Sequence, residues 1–192
     1  MPCCYNTTRS FVLFFLLIGL VGVVLAGVVD FWWKSDLQDK YGDAVTEEMG
    51  LWRTCGGISI ISNIKHSSCI QRKSLFKFEE DVLDFNLDLI LTGLVGGAFF
   101  TFVSLIMIAI SMCQKYPSKV LMVFHLIFLL LGAAGGVFGL VWALIKVEDR
   151  TQDWAFYVLY GANGSLVLSF ALSLILLCAR APGYYLVKRD DD

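Results

Sequence analysis

Two thiols, three indoles and three carboxylates are the residues here whose types and spacing could do chemistry. Cys55 and Cys69 lie 14 positions apart in the one long polar stretch, with Gly50, Leu51 and Trp52 just before them and Trp32 and Trp33 further upstream. Two thiols alone in an oxidising compartment have a single internal pairing, and closing that loop would contribute ~3 kcal/mol on a chain-entropy model. Glu80, Asp84 and Asp88 are spaced by four, so on a helix they share one face. They are either a solvated face with ion pairs, alongside Lys73, Lys77 and Asp81, or a negative surface that attracts cations. Cys3 and Cys4, beside the first apolar run, have the placement that reversible palmitoylation uses. There is no H-E-x-x-H, G-x-S-x-G, phosphate-binding loop or paired-cysteine zinc pattern, so no enzyme, metal or cofactor is expected.

The elements that must hold these groups are apolar. Of 192 residues, 57% are hydrophobic and 17% charged, with a mean hydropathy of +0.71. A soluble domain carries about 25% charge. Residues 11–29, 89–114, 120–145 and 154–179 contain no Asp, Glu, Lys or Arg. Each run is close to or above the roughly 20 residues that cross a hydrocarbon core, and lipid obliges each to be a helix. The expected organisation is one four-span domain over 1–192. Its spans are near 11–29, 89–113, 120–145 and 155–179, and its loops near 30–88 and 146–154. Arg9 followed by an apolar run and Val24, Leu25 and Ala26 also fits a secretory signal, but 19 residues exceed the usual 7–15 of a signal core. Retention of the first span is therefore expected. A net charge of −2 gives no hint of a nucleic-acid partner.

Positive charge sets orientation. Lys115 and Lys119 join the second and third runs without an acid, Arg9 precedes the first, and Arg180, Lys188 and Arg189 follow the fourth. The 30–88 loop has eleven acids against seven bases, and 146–153 has three against two. Both termini are therefore expected in the cytoplasm, with the long loop outside the plasma membrane. Cys3, Cys4, Cys113 and Cys178 then fall at cytoplasmic span ends, where thiols stay reduced, and Cys55 and Cys69 fall outside.

Small residues recur along the spans: Gly93, Gly96 and Gly97; Gly132, Gly135, Gly136 and Gly139; Gly161, Ser165, Ser169 and Ser173. Such stripes let helix backbones approach closely, either within one bundle or between copies. His125 and Asn163 are the strongly polar side chains within the runs, each expected to make an interhelical hydrogen bond. In the long loop, Trp32 and Trp33 are expected at the headgroup level. Residues 51–71 have β character, with a turn at Ser62 and Asn63 and the two cysteines tying neighbouring strands.

A Trp after the first of four spans, then G-L-W-x-x-C and a second Cys, resembles the claudin superfamily, which includes claudins, epithelial-membrane and peripheral-myelin proteins, the lens-fibre membrane protein, and channel- and receptor-regulating gamma subunits. The matching residues are Trp32 (or Trp33), Gly50, Leu51, Trp52, Cys55 and Cys69, and the entry to the fourth span from Asp153 to Gly161 is similar to the myelin and lens branch. The resemblance implies an all-α membrane protein: a left-handed four-helix transmembrane bundle carrying a small disulfide-linked extracellular β-sheet. It implies a role at cell junctions, in adhesion or a paracellular barrier, with membrane lipids and itself or related four-span proteins, in cis and trans, as partners. The alternative it implies is an auxiliary subunit of a channel or receptor. Two departures stand out. The cysteine spacing is wide for a claudin, and the end at Asp190, Asp191 and Asp192 lacks the apolar last residue that PDZ scaffolds take in.

Overall fold

The computed structural model describes residues 2–29, 32–38, 44–49, 51–58, 66–71, 82–114, 118–145 and 151–178. Four long helices dominate it: α1 (Pro2–Val28), α2 (Val82–Cys113), α3 (Lys119–Ile145) and α4 (Trp154–Cys178). All four are long and apolar enough to cross a membrane, over Asn6–Val28, Asp88–Cys113, Lys119–Ile145 and Trp154–Cys178. Only about a third of each span is buried inside the protein. The remainder turns Phe14, Leu17, Val95, Phe99, Phe124, Leu130, Val167 and Ile175 outward. An apolar exterior of that extent is stable only against lipid. The chain is a multi-pass membrane protein.

Local chemistry sets the helix ends. Pro2 opens α1, where its missing N–H costs nothing. Ser118 starts α3, its carbonyl accepting from the Met122 N–H at 3.2 Å, and Pro117 just upstream is incompatible with a helix running through from α2. Asp153 starts α4: its Oδ1 accepts from the Trp154 N–H at 2.7 Å and its carbonyl from the Phe156 N–H at 3.1 Å.

The helices form a ring in which α1 and α3 each lie against α2 and α4, and the α2–α3 and α1–α4 pairings are the most extensive. Gly93 and Gly97 of α2 meet Gly132, Gly135, Gly136 and Gly139 of α3. A methyl at Gly135 would sit 2.9 Å from the Gly93 carbonyl and from the Gly97 backbone, so these helices touch through bare main chain. The α3 glycines thus serve packing within one molecule, one of the two roles open in the sequence. Gly96, Gly161 and Gly164 face open space instead.

At one end of the bundle a five-stranded sheet has the order β4-β3-β2-β1-β5, with β1 (Trp33–Gln38), β2 (Ala44–Met49), β3 (Arg53–Ile58), β4 (His66–Gln71) and β5 (Thr151–Gln152). Every described pairing is antiparallel. The sheet is larger than the β character of 51–71 indicated. The strands β1 and β2 are too polar to stand out, and β5 comes from the second loop. Residues 59–65, including the turn expected at Ser62 and Asn63, lie outside the described residues.

Candidate functional site

The tryptophans of the sequence motif come together at the junction of the sheet with the helices. A helix leaves its last four carbonyls without intrahelical donors. At the end of α1, the Val29 N–H donates to Leu25 O at 3.0 Å, Trp32 Nε1–H donates to Ala26 O at 2.9 Å, and Trp52 Nε1–H donates to Gly27 O at 2.6 Å. Two indoles from the loop therefore cap the first helix. Leu51, between Gly50 and Trp52 in sequence, is 1% exposed. Gly50 itself lies outside the described residues.

Trp32 binds three elements at once. It is fully buried, it packs edge-on against Phe156 of α4 with ring centroids 5.3 Å apart, and its carbonyl accepts from the Asp153 N–H at 3.0 Å. This corrects the expected headgroup placement of Trp32. An indole N–H needs one acceptor, and the end of α1 supplies it inside the protein rather than at the membrane surface.

Register places Cys55 and Cys69 directly opposite one another on β3 and β4. Opposed antiparallel residues have Cα atoms about 4.5–5.5 Å apart, inside the range a disulfide spans. The same register continues as a row, Lys34–Glu48–Cys55–Cys69, across four strands. Charged residues occur on both sets of alternating register positions, Lys34 and Glu48 on one and Glu47 on the other.

Of the three carboxylates singled out, Glu80 lies outside the described residues, Asp84 is in the first turn of α2, and Asp88 is 9% exposed. A carboxylate so enclosed adds little to an open acidic surface. Cys3 and Cys4 occupy the first turn of α1, and Cys113 and Cys178 are exposed free thiols at the ends of α2 and α4 remote from the sheet.

The bundle interior holds a second constellation. His125 of α3 is fully buried. Its Nδ1 is 2.8 Å from Ser104 Oγ and 3.1 Å from the Ser104 carbonyl of α2, and its Nε2 is 2.9 Å from Ser173 Oγ of α4. Ser173 donates to Ser169 O at 2.8 Å, and Ser169 donates to Val12 O of α1 at 3.1 Å. The expected interhelical bond of His125 thus extends through all four helices. Asn163 behaves differently, its Nδ2 donating within α4 to Leu159 O at 3.0 Å.

Arg9, in sequence an orientation signal and the basic residue ahead of a possible secretory leader, is 4% exposed within the bundle. Its guanidinium donates to Ser111 O at 2.7 Å and to Ser111 Oγ at 3.0 Å. Ser111 belongs to the last turn of α2, where carbonyls lack partners and a cation is favoured. Periodicity could have flagged this contact, since Arg9, Val12, Leu16 and Val23 repeat on one buried face of α1. No protein-family model and no curated protein matches this chain.

Proposed function

We propose that the protein is a claudin-like component of cell–cell contacts in the plasma membrane, acting in adhesion or as part of a paracellular barrier. The observation that carries this reading is the junction of sheet and helices. The tryptophans of the Trp…Gly-Leu-Trp…Cys…Cys motif fix the sheet to the end of α1, Trp32 through Ala26 O and Trp52 through Gly27 O. A sheet held in that way offers a fixed surface to a facing molecule instead of a flexible loop. In this reading the sheet is extracellular, both termini are cytoplasmic, and Cys55 is bridged to Cys69. Cys3 and Cys4 carry acyl chains, and Glu80 and Asp84 contribute negative potential near the contact.

Expressed in cells that lack junctions, the protein should concentrate where two expressing cells touch. Even distribution over the surface, together with co-purification with a channel, would replace this reading with that of an auxiliary subunit. One observation favours that second reading. A lipid-facing groove of about 590 Å³ lies between α1 and α4, lined by residues such as Leu17, Val21, Gly22, Tyr157 and Gly161, and a partner helix packing there would explain it. The bridge has its own test. Cys55→Ser should cause retention inside the cell, and normal surface delivery would count against a disulfide.

A further inference from the structure

We propose that the bundle core binds ordered water at Thr101 Oγ1 and at Asn163 Oδ1, beside Gly132 and Gly136. Thr101 is 0% and Asn163 7% exposed, and among the described residues these two oxygens are buried without a hydrogen-bond partner. Asn163 Oδ1 can only accept, because the amide nitrogen already donates to Leu159 O. Both oxygens point at stretches of α3 that have no side chain to answer them. A methyl at Gly132 would collide with Thr101 Oγ1, and one at Gly136 would lie 2.5 Å from Asn163 Oδ1. The α-hydrogens of those glycines offer contacts weaker than a conventional hydrogen bond. Lipid tails offer none, so a small hydrogen-bond donor is required.

Water meets that requirement. A buried water takes two to four polar partners. Near Gly132, Thr101 Oγ1 and the Gly97 carbonyl, which is 3.2 Å from where a Gly132 Cβ would sit, supply two of them, and Asn163 Oδ1 supplies an acceptor one turn away at Gly136. Polar side chains continue from this level toward the end remote from the sheet, where Ser169, Ser173, Ser104, His125, Ser111 and Arg9 are buried among apolar residues such as Leu16, Ile108, Leu129 and Leu166. This holds whether or not the sheet makes cell contacts.

The test uses the full chain in lipid bilayers and follows magnetisation transfer from water to individual residues by solid-state NMR. Gly132 and Gly136 should gain signal several-fold faster than lipid-facing Leu130 and Val137, and Asn163→Leu should slow them toward the lipid-facing rate. Transfer to Gly132 and Gly136 in the unaltered protein as slow as to Leu130 and Val137 would overturn the proposal. Thr101→Val provides a second measurement that keeps the shape of the side chain. If Thr101 holds water, the unfolding midpoint falls. If its oxygen is bare, removing it leaves the midpoint unchanged or raises it, and the proposal fails.

Discussion

The α2–α3 and α1–α4 seams are both lined with glycine, but the glycines do different work. In the first, Gly93 and Gly97 face Gly135 and Gly139, and main chain meets main chain. In the second, Gly19 faces the side chain of Leu166 and Gly22 faces the Ala162 methyl. A backbone cannot step aside, whereas a leucine can change rotamer. The small-residue stripes look alike in sequence, and only the residue across the seam determines how much a substitution costs. Three substitutions probe that difference, and a fourth carries the comparison to the sheet.

The largest effect is expected at Gly135. A methyl there is 2.9 Å from the Gly93 carbonyl, the Gly97 nitrogen and the Gly97 Cα at once, so α2 and α3 must separate. Overpacking of this kind costs about 1–3 kcal/mol, and an immovable obstacle puts Gly135→Ala toward the upper end. Denaturant unfolding in detergent micelles measures it. An unaltered midpoint would show that the seam is looser than described and would remove the contrast between the two helix pairs.

Trp52→Phe comes next and moves the comparison to the sheet end. It removes the indole donor to Gly27 O but keeps an aromatic ring. The expected loss is about 0.5–1.5 kcal/mol, the net worth of one hydrogen bond. Because the bond joins the sheet to α1, hydrogen exchange should accelerate in β3 before it does in α2 or α3. Equal acceleration throughout the bundle would mean that sheet and helices unfold as one unit.

Much of this architecture is written in the sequence, and the missing parts share a physical cause. Lipid forces an apolar run to be a helix, so charge-free stretches alone located α1 to α4. The opposition of Cys55 and Cys69 on adjacent strands follows the same plain logic of two thiols in one loop. The strands β1 and β2 carry Lys34, Asp36, Glu47 and Glu48, and no hydrophobic alternation distinguishes them from a polar loop. Their pairing depends on partners distant in sequence. The inward turn of Arg9 and of Trp32 was hidden for a related reason. Both are amphipathic residues at helix ends, where a surface position and a capping position have the same local sequence, and the carbonyls that decide between them belong to another turn or another helix. His125 and Asn163 were visible as polar residues in apolar runs, but sequence could not tell that one links all four helices while the other bonds within its own.

Gly19→Ala is expected to lie within about 0.5 kcal/mol of the unaltered protein. The new methyl would be 2.5 Å from Leu166 Cδ2, which forces that side chain to shift, but alanine recovers up to about 1 kcal/mol of helix propensity over glycine. Unfolding under the same conditions as Gly135→Ala gives the comparison its sharpest form, since both changes add one methyl to a glycine seam. A loss at Gly19 as large as that at Gly135 would show that Leu166 is as firmly held as a backbone, and the distinction between the seams would collapse.

The smallest effect on folding is expected at Gly161, where a methyl meets nothing within 4 Å. Gly161 lines the groove between α1 and α4 on the lipid side, so the substitution adds bulk outside the bundle, where the fold gains no strain. Gly161→Ala should leave the unfolding midpoint in micelles unchanged or slightly raised, as glycine in a helix interior is less favourable than alanine. Its informative readout is in bilayers, by energy transfer between copies carrying different fluorophores. If transfer falls while the midpoint holds, the open glycine is where a neighbouring helix sits, and the groove belongs to an assembly surface. Unchanged transfer leaves the groove to lipid and returns Gly161 to the ordinary exterior of a four-helix bundle.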